Sequence, residues 1–332
     1  MDDTEGPPIG RAGPLPDPLE LGGTGIEDGA GSGFSELPAR LVRYGNARHR
    51  AMEVLAYGRE PSNIQRGTQR RAGMGSVLGR LERCGSYLEF WHYHTVDQVK
   101  LTRAEFCKQH LLCQLCAVRR GSTYMGAYLP KFEQLLRDQP GLKPVLVTLT
   151  VKNGSDLVER VEHLMRAYRT LCERRRDVRK GNRGRTEWAK VAGAVGAIEL
   201  TRSASGWHPH LHAIVLLDSW IDQKALSDEW RSITGDSFIV GLTAFDKRKH
   251  PAEVFAEVFK YAVKFSDLVP SDCWEAYRAL AGARLVHSLG CFRGVVVDDT
   301  LLDQPLENLP YVKYLYRFVV GSGYNVVSVE RA

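Results

Sequence analysis

The sequence predicts an α+β fold in which a central antiparallel sheet has helices on one face, with a small cysteine-containing segment before it. Three observations lead to this class. The β-branched run VLVTLTV, within residues 143–151, is typical of a buried strand. Residues 155–178 carry apolar side chains at helical spacing. Strands and helices then continue in the order β-α-β-β-α-β-α, which fits an antiparallel sheet covered by helices.

The chain before this core divides into a tail and the cysteine-containing segment. Residues 1–37 are rich in Gly, Pro, Asp and Glu and have few large apolar side chains to offset the entropy cost of ordering, so we expect disorder there. Residues 38–140 are expected to form a DNA-binding or zinc-binding segment. It contains a helix at 38–57, a strand at 81–94 and a helix at 113–138.

The core itself is expected to occupy residues 141–300, and residues 301–332 indicate a C-terminal β extension made of two strands joined by a glycine turn. After the first strand, the expected elements of the core are a helix at 155–178 capped by Ser155, a strand ending in GAIELTR, a strand beginning at HPHLH, a helix at 222–234, a strand at 237–245 and a helix at 251–265 with proline in its first turn.

The composition limits the class of protein. The chain has 332 residues, 43% hydrophobic and 25% charged, as in an ordinary globular protein. Its net charge of +6 is compatible with an acidic partner such as nucleic acid. Its apolar runs are too short to span a membrane and its acidic N-terminus does not resemble a signal peptide, so we expect a cytoplasmic protein without a membrane partner. The 7 cysteines then favour reduced thiols or metal ligands over disulfides.

The stretch GWHPHLH, residues 206–212, places several histidines on one predicted strand. Because strand side chains alternate between faces, His210 and His212 point the same way. A simple hairpin around the turn SASG puts Glu199 directly opposite His210, with Cβ atoms about 4.5–5.5 Å apart. Two imidazoles and a carboxylate on one face form a three-ligand site for a divalent metal. The alternative is a surface feature of a half-exposed strand, and a register slip of one residue would remove the site.

A second group of polar residues lies in the predicted helix EVFKYAVKF. Tyr261 and Lys264 are three residues apart and Glu257 is four before the tyrosine, so all three share one helical face. A tyrosine can act as a covalent nucleophile, and a nearby ammonium group can stabilise a phenolate or a developing phosphate charge. The alternative is an amphipathic helix whose apolar side chains simply pack inward.

These motifs together resemble the HUH endonucleases. Across residues 80–300, the stretches VLVTLTV, ELTRSASGWHPHLHAIVLL and FKYAVKF are similar to replication proteins of small plasmids that replicate by rolling circle. The resemblance implies a nickase domain at 141–300 that uses Mg²⁺ or Mn²⁺ on Glu199, His210 and His212. It also implies a 5′-phosphotyrosine on Tyr261 and a free 3′-OH.

The implied partners are origin DNA, single-stranded or extruded as a hairpin, and a host helicase and DNA polymerase. Lys264 would support the tyrosine or the phosphate, and Glu257 would activate water in a terminating cleavage. Two other functions remain open: a transposase of the same fold, and a non-catalytic zinc-ribbon regulator that binds DNA.

The cysteine motif is C-x5-C-x2-C, formed by Cys107, Cys113 and Cys116. Tetrahedral zinc needs four ligands, and either Cys84 or His110 would complete the set. The sequence leaves a structural Zn²⁺ and a group of buried free thiols as equal alternatives.

The densest basic run lies within residues 172–188. We expect it to neutralise DNA phosphates, although a solvated helix end would have the same composition. The residues expected to contact DNA are Arg174, Arg175, Arg176, Arg179, Lys180, Arg183 and Arg185.

Overall fold

A computed structural model of the chain describes residues 33–63, 74–237, 239–245, 255, 258, 268–280 and 282–331. The helices are α1 (Leu37–Arg59), α2 (Met74–Arg83), α3 (Gln114–Asp138), α4 (Leu157–Arg179), α5 (Gln223–Thr234) and α6 (Pro270–Leu280). The strands are β1 (Tyr87–Tyr93), β2 (Gln98–Ala104), β3 (Lys143–Thr150), β4 (Val191–Ser203), β5 (Gly206–Leu217), β6 (Val240–Ala244), β7 (Val286–Gly290), β8 (Val312–Val319) and β9 (Gly323–Arg331).

The centre of the fold is a five-stranded sheet in the order β6-β3-β5-β4-β7, and all its neighbouring strands are antiparallel. The predicted α+β class and the antiparallel sheet are therefore confirmed. The helix predicted at 155–178 is α4, but its N-cap is Asp156 rather than Ser155, because the Asp156 carboxylate accepts a hydrogen bond from the Glu159 N–H. The sequence did not predict α6 or β7, the edge strand that pairs with β4.

The β4–β5 hairpin has the register that the sequence predicts. Its pairs run out to Ser203 opposite Gly206, and Glu199 lies directly opposite His210. At Gly206 the backbone has φ of 100°, and an added Cβ would lie 2.4 Å from the Gly154 carbonyl oxygen. Only glycine fits this close approach, so the turn that fixes the register depends on it.

Helices cover both faces of the five-stranded sheet, whereas the sequence predicted helices on one face. α4 and α5 pack on one face, where Leu164 and Leu226 join the same cluster as Val147 and Val215. The opposite face carries Glu199, His210 and His212, here called the triad, and this triad face is covered by α3. Its cluster contains Met125, Tyr128, Phe132 and Leu135 from α3, Val195 and Ala197 from β4, and Ile214 and Leu216 from β5. The continuous apolar run AIVLL in β5 is the signal of a strand buried on both faces.

A second antiparallel sheet, in the order β2-β1-β8-β9, joins the two ends of the described chain. The predicted C-terminal extension does form two strands, but β8 pairs with β1 and so completes the sheet of the cysteine-containing segment. The predicted disordered tail ends earlier than residue 37. Phe34 begins a 3₁₀ turn, and its ring stacks on His92 with centroids 4.5 Å apart.

A buried ionic group fastens α1 and α3 to this second sheet. The Asp303 carboxylate accepts hydrogen bonds from Arg40 at 2.7 Å, from Arg119 at 2.6 Å and from the Leu101 N–H at 2.7 Å. Burial would raise the pKa of Asp303, but the charges of the two arginines outweigh it and hold the pKa well below its usual range. Among the helices that the structure describes, none has the length and apolar character of a membrane span.

Candidate metal centre

Glu199, His210 and His212 meet on the triad face, where β4 and β5 pair. In β4, Glu199 continues the alternation that buries Val195 and Ala197, and the two histidines precede Ile214 and Leu216 on β5 in the same way. One carboxylate oxygen, Glu199 Oε2, lies 2.7 Å from His210 Nε2 and 2.8 Å from His212 Nε2. The three possible ligand atoms all lie within 4.8 Å of one another, which is compatible with a single ion.

The second nitrogen of each imidazole is held by a neighbour. His210 Nδ1 lies 3.1 Å from the His208 carbonyl oxygen, to which it can only donate. His212 Nδ1 lies 3.0 Å from the hydroxyl of Thr148 on β3, the residue paired with it across the sheet. When the ring of His210 is protonated, Nε2 donates to the Glu199 carboxylate, and when the ring is neutral the proton stays on Nδ1 and Nε2 presents a lone pair. The neutral form is the tautomer that a metal ligand needs.

The burial of the triad is uneven. The Glu199 side chain is 6% exposed, whereas that of His212 is 22% exposed. Burial would raise the pKa of Glu199, but hydrogen bonds from His210 and His212 and their charges outweigh it and lower the pKa to about 2. The carboxylate is therefore ionised at neutral pH, and the group is accessible from solvent on the side of His212.

His208 lies on the same strand face, with its ring centroid 5.2 Å from that of His210. Burial, followed by the charge of His210, lowers its pKa. Its ring nitrogens are not part of the compact set of ligand atoms. Within the described residues, His208 therefore contributes to the site through its carbonyl group.

The predicted nucleophile segment is only partly described. Tyr261, Lys264 and Glu257 lie outside the described residues. Phe255 and Val258 of the same segment are helical and buried, and they join the apolar cluster of the triad face. Both described positions of the segment thus pack on the face that carries the three ligands.

Four cysteines form a second compact group, about one end of α3. Cys84 Sγ lies 3.5 Å from Cys113 Sγ and 3.4 Å from Cys116 Sγ, and Cys107 Sγ lies 3.5 Å from Cys116 Sγ. All four are buried, and their sulfurs lie within 4.8 Å of one another. The structure thus brings Cys84 into the group, and His110, the other candidate for the fourth ligand, is not among its ligand atoms.

The basic run separates into one buried arginine and a set of exposed residues. Arg175 is buried, and its guanidinium donates to the carbonyls of Val191 at 2.7 Å and Ala192 at 3.0 Å. It therefore holds the start of β4 and is not placed to contact DNA, contrary to the prediction. The exposed members are Arg174, Arg176, Arg179, Lys180, Arg183 and Arg185.

Sequence reasoning missed Thr148, which sets the orientation of His212. It lies in VLVTLTV, where two threonines, Thr148 and Thr150, interrupt a run that is otherwise apolar. Such an interruption opposite a candidate ligand is the signal that could have identified it, because polar groups in a buried strand need a hydrogen-bond partner.

Comparison with known proteins places this chain in a family. A profile described as a replication protein matches residues 98–312, more than half of the chain. The chain belongs to this replication protein family. The match spans the triad and the tyrosine segment, and it begins after Cys84.

Two relatives of this family member are each named Protein rep. The one from Staphylococcus aureus is 24% identical over 200 residues, which cover 56% of this chain and 82% of the relative. The one from Streptococcus pneumoniae is 28% identical over 164 residues, which cover 47% of this chain and 48% of the relative. No solved structure matches the chain significantly.

Proposed function

We propose that this member of the replication protein family initiates rolling-circle replication of a plasmid by nicking one DNA strand at the origin. The triad carries the proposal. A buried, ionised carboxylate and two imidazoles converge on one point, and each imidazole is oriented by a further contact. A non-catalytic regulator with incidental histidines has no need of these orienting contacts.

The donor set fits a divalent cation. Glu199, His210 and His212 would hold Mg²⁺ or Mn²⁺, which would polarise the scissile phosphate as a Lewis acid and template. Two nitrogens and one oxygen leave coordination positions for phosphate oxygens, unlike a four-ligand structural site. The exposed side of His212 gives the DNA strand access to that position.

Tyr261 is the proposed nucleophile. Its phenolate oxygen would form a bond to the phosphorus while the bond from phosphorus to the 3′ oxygen breaks. The products are a 5′-phosphotyrosine and a 3′-OH, which a host polymerase extends behind a host helicase. The described neighbour Val258 packs on the triad face three residues before Tyr261. Since three residues span at most about 11 Å, the backbone of Tyr261 cannot lie further than this from a residue that packs on the triad face.

Two neighbours of Tyr261 in sequence would complete the cycle. Lys264 would stabilise the phenolate or the charge on the phosphate. Glu257 would act as general base for water in the terminating cleavage, so that the second break leaves no covalent link.

Charge supports a DNA substrate. The exposed cations at the end of α4 and after it would neutralise phosphates of the bound strand, and their contribution would weaken as salt increases. We expect the cleaved strand to be single-stranded or extruded from a hairpin, because the scissile phosphate has to reach both the bound ion and Tyr261.

The test is covalent capture of DNA. The wild-type protein, Mn²⁺ and a supercoiled plasmid carrying its own replicon should give nicked DNA and an adduct that survives SDS. Tyr261→Phe should give neither, while DNA binding remains. Tyr277→Phe on α6 is the matched control and should behave as wild type. An adduct of undiminished yield with Tyr261→Phe would refute this nucleophile, and peptide mapping would locate the residue that reacted.

A further inference from the structure

The cysteine group has the geometry of a mononuclear tetrahedral site. A disulfide holds its sulfurs about 2.05 Å apart. Here Cys84 Sγ is nearly equidistant from two partners, at 3.5 and 3.4 Å, so the group is not a pair of disulfides. Zinc–sulfur bonds of about 2.3 Å give a tetrahedron with edges of about 3.8 Å, close to the separations observed. Iron–sulfur clusters spread their four cysteines over two or four irons, so the cysteine sulfurs cannot all lie as close together as around one ion.

The surrounding backbone is arranged to stabilise thiolates. The Cys107 N–H donates to Cys84 Sγ at 3.3 Å, and the Gln109 N–H donates to Cys107 Sγ at 3.5 Å. Cys113 is the N-cap residue of α3, where the helix dipole favours negative charge. These contacts are independent of the sulfur–sulfur distances, and they too indicate that the sulfurs are thiolates that bind a metal ion.

Burial decides what the group can bind. All four cysteines are at most 2% exposed, so no position is open to a substrate. Four buried thiolates without a cation would repel one another at low dielectric, and soft sulfur ligands in a closed set select zinc over magnesium or manganese.

We propose that Cys84, Cys107, Cys113 and Cys116 bind one structural Zn²⁺, and that this ion fixes α3 over the triad face. α3 begins directly after Cys113 and contains Cys116, and its later turns supply Tyr128 and Phe132 to the cluster beneath the triad. The ion would therefore support the nicking face without touching DNA.

The same ion would also anchor the second sheet. Gly85 follows Cys84, and its carbonyl accepts a 2.6 Å hydrogen bond from the hydroxyl of Tyr324 on β9. An added Cβ at Gly85 would lie 2.3 Å from Leu115 at the start of α3, so these segments are in close contact around the cysteines. One ion would thus tie α2, α3 and the C-terminal hairpin together.

Metal content tests the site. Protein purified without chelators should contain one zinc per chain, and cobalt exchanged into it should show the intense visible absorption of tetrahedral thiolate-bound Co²⁺. Cys84→Ser and Cys113→Ser should lose this metal. Cys273→Ser, another buried cysteine outside the group, is the matched control and should keep it. Wild type without zinc, with iron in its place, or with zinc retained in both group variants would overturn the proposal.

If the variants fail to fold, two measurements on the folded wild type still test the proposal. A mercurial reagent should release one zinc per chain as the four thiols of the group react, in addition to any reaction at Cys172, Cys273 and Cys291. After release, backbone amides of α3 should exchange hydrogen at least tenfold faster, whereas those of α5 on the opposite face should change little. Equal exchange in α3 before and after zinc release would refute the coupling to the triad face. His212→Ala should retain its zinc, which separates this site from the proposed catalytic one.

Discussion

The two groups of possible metal ligands in this molecule differ in hardness, exposure and openness. The triad uses a carboxylate and two imidazoles, is partly exposed at His212, and has three ligands. The cysteine group uses four sulfurs, is fully buried, and is complete in itself. Catalytic metal sites keep a position free for substrate and structural sites do not. On the proposals made above, this difference would place the chemistry on the five-stranded sheet and a stabilising ion beside the second sheet.

The largest expected effect tests the stabilising role of that second region. Asp303→Asn leaves Arg40 and Arg119 buried without their anion, so the free energy of unfolding should fall by about 3–5 kcal/mol. Urea unfolding followed by circular dichroism measures it. Asp299→Asn is the control, because Asp299 is 89% exposed and its loss should cost less than about 0.5 kcal/mol. Equal effects of the two substitutions would show that the buried ionic group does not stabilise the region around the second sheet.

The contribution of Asp303 to stability should depend on pH. The pKa of Asp303 is lowered in the folded protein, so its stabilisation is present above the usual carboxyl pKa of about 4 and is lost as pH falls below it. Asp303→Asn should lack this part of the acid sensitivity, which unfolding curves at a series of pH values would detect.

A smaller effect is expected on the triad face, and it should appear in metal affinity rather than stability. Thr148→Val removes the hydroxyl that orients His212, so Mn²⁺ affinity or nicking rate should fall about 10–100-fold. Thr148→Ser should restore most of the loss, since it keeps the hydroxyl. Thr243→Val on β6 is an exposed control. If Thr148→Val lowers only the unfolding temperature, Thr148 is a packing residue and does not position the ligand.

The smallest effect concerns DNA affinity. Arg183 and Arg185 are exposed after α4, so the double alanine variant should flatten the dependence of log affinity on log salt by about 1.4 for single-stranded DNA. Fluorescence anisotropy with an oligonucleotide from the replicon measures this slope, and Arg103→Ala on β2 is the control. An unchanged slope in the double variant would show that Arg183 and Arg185 do not contact DNA phosphates.

Local patterns predicted the triad, and nonlocal contacts explain what was missed. The pairing of Glu199 with His210 followed from counting outward from one turn, because the hairpin is local. The pairing of β8 with β1 joins segments that are distant in sequence, and neither strand has a sequence pattern that indicates which strand it pairs with. Arg175 looked like its basic neighbours, since its burial depends on the distant carbonyls that it contacts. β7 was missed because its five residues, VHSLG, lack a clear strand pattern.

The cysteine group was predicted only in part from local sequence. Its spacing predicted three ligands, but the choice between Cys84 and His110 depended on how α2 packs against the start of α3. The structure settles this choice at the level of geometry, since Cys84 Sγ lies 3.4 Å from Cys116 Sγ.

Metal-dependent nicking tests most directly whether Glu199, His210 and His212 bind the ion on which DNA cleavage is proposed to depend. Zinc-containing protein treated briefly with EDTA should not nick the supercoiled replicon, and Mn²⁺ should restore nicking in wild type. His212→Ala, with its fold checked by circular dichroism, should remain at least about 100-fold slower at any Mn²⁺ concentration, since a bound ion supplies several kcal/mol to the transition state. His94→Ala, an exposed histidine distant in sequence, should match wild type. Undiminished wild-type nicking in EDTA, or full activity of His212→Ala, would contradict the account.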